Sequence, residues 1–541
     1  MSRPAASIAF GLFLLASAAL PVISGGPQEP KRGVGTWDPE SGLGNHRVVI
    51  RVEAPAPPVA PLKKRATKTA AAPAIAKPAV VQVRIPWRRR DLEPEKKNVI
   101  VVDASTGQRI TNVLPLAVTG EIGYLLFEPK TVPGDYYVYF MPYRSEGRKN
   151  YPNIKYDLPE ATEDPGWMAS AKAVLLRDEY AAGQVPMADV PSAGVIEIQS
   201  ADEFSAFTPM ELVATAQEIK TLLAAHPGAP YLLFPEDRTL SIRMADFLPY
   251  RWADAGPAGT VAGKAARGEY FTFQVGVWAA RAALSDLEVR FSDLALGQAV
   301  IPAKELTCFN KRGVDWDGST IMKTVPVEKG KVQALWCGVR IPRSIPPGTY
   351  KGTMTVAPAG LPETILAVEL AITEDLLEDA GDGDPFRMSR LRWLDSTLAQ
   401  DDDIVPPFTP LTVNGMTVGC LGRSLTIGRD GFPARIRSFF APEMTRLQAK
   451  SIDITSSPIR LRVIDEAGQD LDWTPGAAGP RVSPRGTGAV VWEADNGNGD
   501  LLMRLEARME FDGFVDYKVA VTARRDVSVS DIRLEVPWSE G

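Results

Sequence analysis

The sequence predicts a mainly β protein, with several antiparallel β-sandwich domains in series and a small α/β connecting region. Three observations predict it. Short runs rich in Val, Ile, Thr, Tyr and Phe recur along the chain. The 46 prolines and 45 glycines are spread between those runs as turn signals rather than massed into low-complexity tracts. Many runs also alternate apolar and polar residues with the period of two that a half-buried strand requires. At 541 residues the chain exceeds what one core supports, so roughly three or four domains are expected.

Taken in order, residues 1–24 read as a secretory signal: Arg3, an apolar run from Ile8 to Leu15, then the small residues Ala16-Ser17-Ala18-Ala19. The apolar stretch reaches Pro21 after about a dozen residues, short of the ~20 that a spanning helix needs. The sequence therefore predicts export, to the periplasm or beyond, with no membrane span after cleavage. An N-terminal sandwich is predicted over 25–145, from His46–Glu53, Val80–Trp87, Val99–Asp103 and Gly134–Phe140. It carries an Ala, Pro and Lys insertion at 54–78 that cannot bury a core. Arg88-Arg89-Arg90 is followed at once by Asp91, Glu93 and Glu95, which predicts a solvated, self-paired surface.

The connecting region, 146–245, contains a predicted helix over 209–226. Thr208-Pro209-Met210-Glu211 supplies the cap, and Leu212, Ala216, Ile219 and Leu223 form the buried stripe. A second sandwich is expected over 246–378, with one face apolar and the other polar. Residues 379–396 form an acidic linker and a seam in which Arg387, Arg390 and Arg392 alternate with Phe386, Met388, Leu391, Trp393 and Leu394. Arginine stems pack on apolar surface while their forks reach carboxylates or carbonyls, so the seam is expected to be clamped between two domains. The simpler alternative is a strand with one charged face. Residues 397–541 read as an all-β domain that looks unfinished, because its long hairpins lack a facing sheet.

Composition narrows function. A net charge of −6 and a pI near 5.4 argue against a nucleic-acid partner. Two histidines, His46 and His226, make a histidine metal cluster or a Ser-His-Asp triad a poor reading. Of three cysteines, Cys308 and Cys337 fall in one domain, as a bonded pair or as two buried thiols, and Cys420 is the odd one out. No metal or cofactor site is expected: the acids at Asp382, Asp384 and Asp401–Asp403 lack a calcium-loop spacing. The one loop with a binding character is Asp315-Trp316-Asp317, where an indole suits a pyranose face and two carboxylates accept sugar hydroxyls. Its structural alternative is a turn with Trp316 as a plug.

Four stretches carry a resemblance: Tyr270–Val277, Cys308-Phe309-Asn310 with Gly313-Val314-Asp315-Trp316, Val332–Trp336, and the seam. Through them the chain resembles the N-terminal portion of large bacterial proteins related to glycoside hydrolase family 123, the β-N-acetylgalactosaminidase family. The resemblance covers roughly 245–541 well and the earlier third loosely. It implies non-catalytic sandwiches followed by a (β/α)-barrel, in which an Asp-Glu pair assists attack by the substrate's own acetamido oxygen. No strand–helix alternation of the ~200 residues that a barrel requires occurs in this sequence, so no catalytic residue is assigned. The implied role is an exported accessory portion that supports a barrel following residue 541 and touches glycan. The alternative is a stand-alone carbohydrate-binding or cell-surface scaffold without catalysis.

Overall fold

The computed structural model describes residues 29–54, 78–148, 150–176, 187, 189–315, 318–398, 400 and 402–540. The signal at 1–24, nearly all of the 54–78 insertion, and Trp316 and Asp317 lie outside the described residues. The chain divides into two compact units, Met1–Cys308 with Thr324–Ser389, and Phe309–Lys323 with Arg390–Gly541. It is mainly β, and most of its sheets are antiparallel.

The first unit holds two sandwiches. In the N-terminal one, a six-stranded sheet runs in the order Lys31–Val34, Gly194–Ser200, His46–Val52, Gly134–Phe140, Val99–Asp103, Arg109–Ile110. A three-stranded sheet of Val81–Ile85, Gly123–Phe127 and Val113–Val118 shares its core. Val48, Ile50 and Val52 point inward onto Val83, Ile85 and Phe127, as their alternation requires. The sandwich is larger than its predicted span of 25–145, since the strand Gly194–Ser200 lies between its first and third strands. That pairing joins residues far apart in sequence, which periodicity alone does not reveal. Gly123–Phe127 is buried on both faces because the helix Pro165–Leu175 lays Trp167, Ala171 and Val174 over Tyr124 and Leu126. Asp164 caps that helix, accepting the N–H groups of Gly166 (2.9 Å) and Trp167 (3.0 Å).

The arginine run is corrected in two respects: Arg88 and Arg89 are buried rather than solvated, and only Arg89 pairs with an acid of the adjoining run. Arg89 donates to Asp91 at 2.5 and 2.7 Å, Arg88 donates to Glu29 and Glu218, and Arg90 pairs with Glu211 at 2.8 Å. Each buried guanidinium has its carboxylate, the condition for placing a charge inside.

The helix predicted over 209–226 is two elements. A 3-10 turn, Pro209–Glu211, ends at Leu212, and a second capping box, Thr215 with Glu218, starts the helix Ala216–Ala225. Both capping boxes are real, and the first begins an element of only one turn. Leu222 is buried and Ile219 and Leu223 pack beside it, so the predicted stripe holds at those two positions, while Ala216 is exposed. His226 ends the helix, its N–H bonded to the carbonyls of Leu222 and Leu223.

In the second sandwich, Leu232–Glu236, Tyr270–Trp278, Val332–Arg340 and Leu306–Cys308 face a sheet built on Thr260–Arg267, Thr364–Leu376 and Gly348–Pro358. It therefore starts before residue 246. Its central strand departs from the expected alternation, since all nine residues of Tyr270–Trp278 are buried. The polar face is covered: Gln274 donates to the carbonyls of Asp237 and Leu240 and accepts from the N–H of Ile242. On the same covered side, Trp252 stacks on Phe234 at 4.5 Å and donates to Glu236 at 2.9 Å.

In the second unit, the meander Thr412–Asn414, Thr417–Cys420, Arg423–Ile427, Pro433–Phe440 and Leu447–Asp453 packs against a five-stranded sheet. That sheet contains Arg481–Arg485, Ala489–Gly497, Leu501–Glu510 and Val515–Ala523. A facing sheet is thus present, contrary to the expectation for 397–541: Val418, Leu425 and Ile427 meet Trp492, Met503 and Leu505 in one core. The hairpin at Asp512-Gly513 forms with a longer loop than the favoured two-residue turn, the N–H of Glu510 reaching the carbonyl of Phe514 and Gly513 taking φ +90°.

Candidate functional site

The site follows from a strict alternation. Along Leu501–Glu510, Leu501, Met503, Leu505, Ala507 and Met509 enter the core, which sends Arg504, Glu506, Arg508 and Glu510 to the opposite face. Neighbouring strands obey the same phase, so register sets charges in rows: Arg481 opposite Glu493, Glu493 opposite Glu506, Glu506 opposite Lys518. The adjacent row runs Ser483, Val491, Arg508, Asp516. The side chains of these rows border an open hollow of about 490 Å³ on that face. Phe514, half exposed at the hairpin, stands at its rim.

Four cations, Arg481, Arg485, Arg508 and Lys518, and four anions, Glu493, Glu506, Glu510 and Asp516, line the hollow, so it carries no net charge. Arg481 meets Glu493 at 2.9 Å and Arg508 meets Glu510 at 3.1 Å. The Arg481 hydrogen bond, helped by the charge of Arg504, holds the Glu493 carboxyl below its ordinary range despite partial desolvation. Fixed donors and fixed acceptors alternate at strand spacing beside an aromatic ring, which suits a neutral ligand rich in hydroxyl groups.

The predicted loop residues are only partly placed. Asp315 turns back on itself, its N–H on the carbonyl of Ser319 (2.8 Å) and its carbonyl taking the N–H of Gly318 (2.9 Å). It follows Arg312–Val314, which pairs with Thr320–Met322. Trp316 and Asp317 lie outside the described residues, so Asp315 is the one member of the predicted sugar platform that the structure places. Of the seam, Arg387 belongs to the first unit, where it meets Glu269, whereas Arg390, Arg392 and Trp393 fall in the second. Arg390 lies over the half-exposed ring of Trp393, 5.5 Å from its centroid, within a 3-10 helix, Ser389–Asp395, rather than a strand. Asp402 has a structural role, accepting the N–H groups of Thr487 and Gly488. Among the described residues, no three His, Cys, Asp or Glu side chains are grouped to hold a metal ion.

The charged hollow was missed by sequence reasoning. The charge at every second position of Arg504–Glu510 is a readable signal of one polar face. Its partners on other strands are set by register, which the sequence does not state.

Two domain families match the chain: the glycoside hydrolase 123 N-terminal domain over 35–201 and the glycoside hydrolase 123 third domain over 411–541. Together they span just over half of the chain, and the charged hollow lies within the second match. This coverage differs from the expected one, since the early third is matched and 202–410, which carries all four stretches behind the resemblance, lies outside both matches. No curated protein matches the chain. Among solved structures, a family 123 glycoside hydrolase from Clostridium perfringens, described for glycolipid glycan hydrolysis, aligns at 14% identity and TM-score 0.22, covering 27% of this chain and 28% of that one. The sporulation control protein Spo0M from Bacillus subtilis aligns at 9% identity and TM-score 0.16, covering 55% and 91%.

Proposed function

Because this chain carries the N-terminal and third domains of glycoside hydrolase 123 and belongs to the proteins related to that family, we propose that it is an exported accessory β-sandwich portion of a glycoside-hydrolase-like protein whose last domain contacts glycan. Export is supported by Arg3, the apolar run Ile8–Leu15 and the small residues after it. The accessory role is supported by the sandwich folds, rigid scaffolds of the kind that position binding loops.

Glycan contact is carried by the charge-balanced hollow of about 490 Å³ with Phe514 at its rim. A polyanion or polycation gains little from a face with equal numbers of both charges. A sugar hydroxyl both donates and accepts, and each finds a fixed partner there. A solvated face of ion pairs is the competing reading. Display of neutral oligosaccharides to the purified full chain tests the proposal. Retention that persists at about 0.5 M salt is expected, since neutral ligands are not screened. Retention of acidic glycans alone, lost in salt, would contradict it.

A further inference from the structure

Cys308 ends the strand Leu306–Cys308, an edge strand of three residues, and Cys337 lies in the middle of its partner, Val332–Arg340. Antiparallel register puts the two cysteines directly opposite each other. Opposed residues in an antiparallel pair stand about 4.5–5.5 Å apart at Cα, inside the ~4.4–6.8 Å range that a disulfide spans. Both side chains enter the same core, Cys308 being 5% exposed and Cys337 0%. Cys308 is also the last residue of the first unit before the chain leaves it for Phe309–Lys323. A weak edge strand therefore holds the point of exit.

We infer that Cys308 and Cys337 are a disulfide site, joined when the chain folds in an oxidising compartment, and that the bond staples this strand at the exit point. The oxidant is an external disulfide, of glutathione or of a thiol-disulfide oxidoreductase. One protein thiolate attacks it and expels a thiolate, giving a mixed disulfide. The second protein thiolate then attacks the first protein sulfur and expels the other half. One external disulfide is reduced to two thiols, which take up the two cysteine protons, and one protein disulfide is formed. Burial pushes the Cys337 thiol well above its ordinary value, and the neighbouring Cys308 adds to this, so exchange belongs to the stage before the core closes. All three cysteines are thiols in this structure; the inferred bond takes the two that face each other across one strand pair, and Cys420 belongs to the other unit.

The test uses full-length protein produced by export to an oxidising compartment, unfolded in guanidinium and alkylated without reductant. One added group, on Cys420, and a proteolytic peptide pair joined through Cys308 and Cys337 are expected, with three groups added after reduction. The Cys337→Ser variant should contain no joined pair that includes Cys308. Wild-type protein that takes three groups without reduction, or whose bond includes Cys420, overturns the inference.

Discussion

Arg387 places Nη1 3.0 Å from the carboxylate of Glu269, a side chain with no exposed surface at all. Arg238 reaches the same oxygen at 2.7 Å, and the N–H of Ala266 takes the other at 2.8 Å. The carbonyl of Arg387 accepts in turn from Thr272 (2.8 Å) and Arg238 (3.1 Å). A buried acid with two guanidiniums thus fastens the segment before Ser389 onto the second sandwich. Glu269→Ala should lower stability by about 3 kcal/mol, because it leaves the buried Arg238 without its carboxylate and takes one of two acidic partners from Arg387. Arg387→Ala should cost about 1 kcal/mol, since Arg238 still neutralises the acid and Arg387 is partly solvated. Urea unfolding of both variants checks the order, and equal costs would contradict this account.

His46 predicts a pH response. Burial pulls its pKa from the ordinary 6.5 down to about 4, outweighing its hydrogen bond to the carbonyl of Ser205, while its ring stacks on Phe207 at 4.3 Å. The unfolded chain binds a proton below 6.5 that the folded chain refuses until about 4. Stability is therefore full above pH 6.5 and falls as pH drops toward 4, by about 2 kcal/mol at about pH 5. His46→Phe keeps a stacked ring and removes the titration, so its stability should vary less across that window. Denaturation midpoints at the two pH values decide it, and parallel curves would rule out His46 as the source.

A second acid-sensitive group acts at lower pH. Glu535 is held at about 2, chiefly by its hydrogen bond to Arg462, which outweighs an opposing desolvation effect, with Arg460 adding a further hydrogen bond. Its folded value lies below the ordinary 4.5, so its contribution is present above 4.5 and is lost as pH falls through about 2. Glu535→Gln should flatten the acid limb of unfolding in that range and leave the His46 window unchanged. Loss of the slope between 6.5 and 4 instead would show the assignment to be wrong.

Gly276 leaves space for the Trp252 ring, and a Cβ at that position would collide with it. Gly276→Ala should destabilise by about 1–3 kcal/mol, as overpacking does. Trp252→Ala should cost about 3–5 kcal/mol through the cavity it leaves beside Phe234. The double variant should cost less than the sum of the two, since the added methyl then enters the vacated space. Thermal unfolding of all three measures the coupling.

Much of the fold was legible because period-two burial writes itself into a sequence: Val48, Ile50 and Val52, and Met503 and Leu505, face the core as their spacing requires. The misreadings share a cause. Tyr270–Trp278 has Thr272 and Gln274 at its polar positions, yet these are buried because the loop 237–242 and the turn ending at Arg387 cover them and supply their hydrogen bonds. Thr208-Pro209-Met210-Glu211 caps a helix start in sequence, but the backbone extends again at Leu212. Arg88 looks solvent-facing until Glu29 and Glu218 arrive from distant segments. The candidate site was hidden for the same reason: Arg481, Glu506 and Lys518 become neighbours only through cross-strand register.

Calorimetric titration of the full chain with neutral oligosaccharides, wild type beside Glu506→Ala/Arg508→Ala, tests the glycan-contacting face most directly. Both side chains point away from the core, so the variant should unfold at nearly the wild-type midpoint. Saturable binding by the wild type that weakens at least tenfold in the variant, about 1.4 kcal/mol, is the predicted result. Equal binding by both proteins, or no binding by the wild type to any neutral glycan, would contradict it.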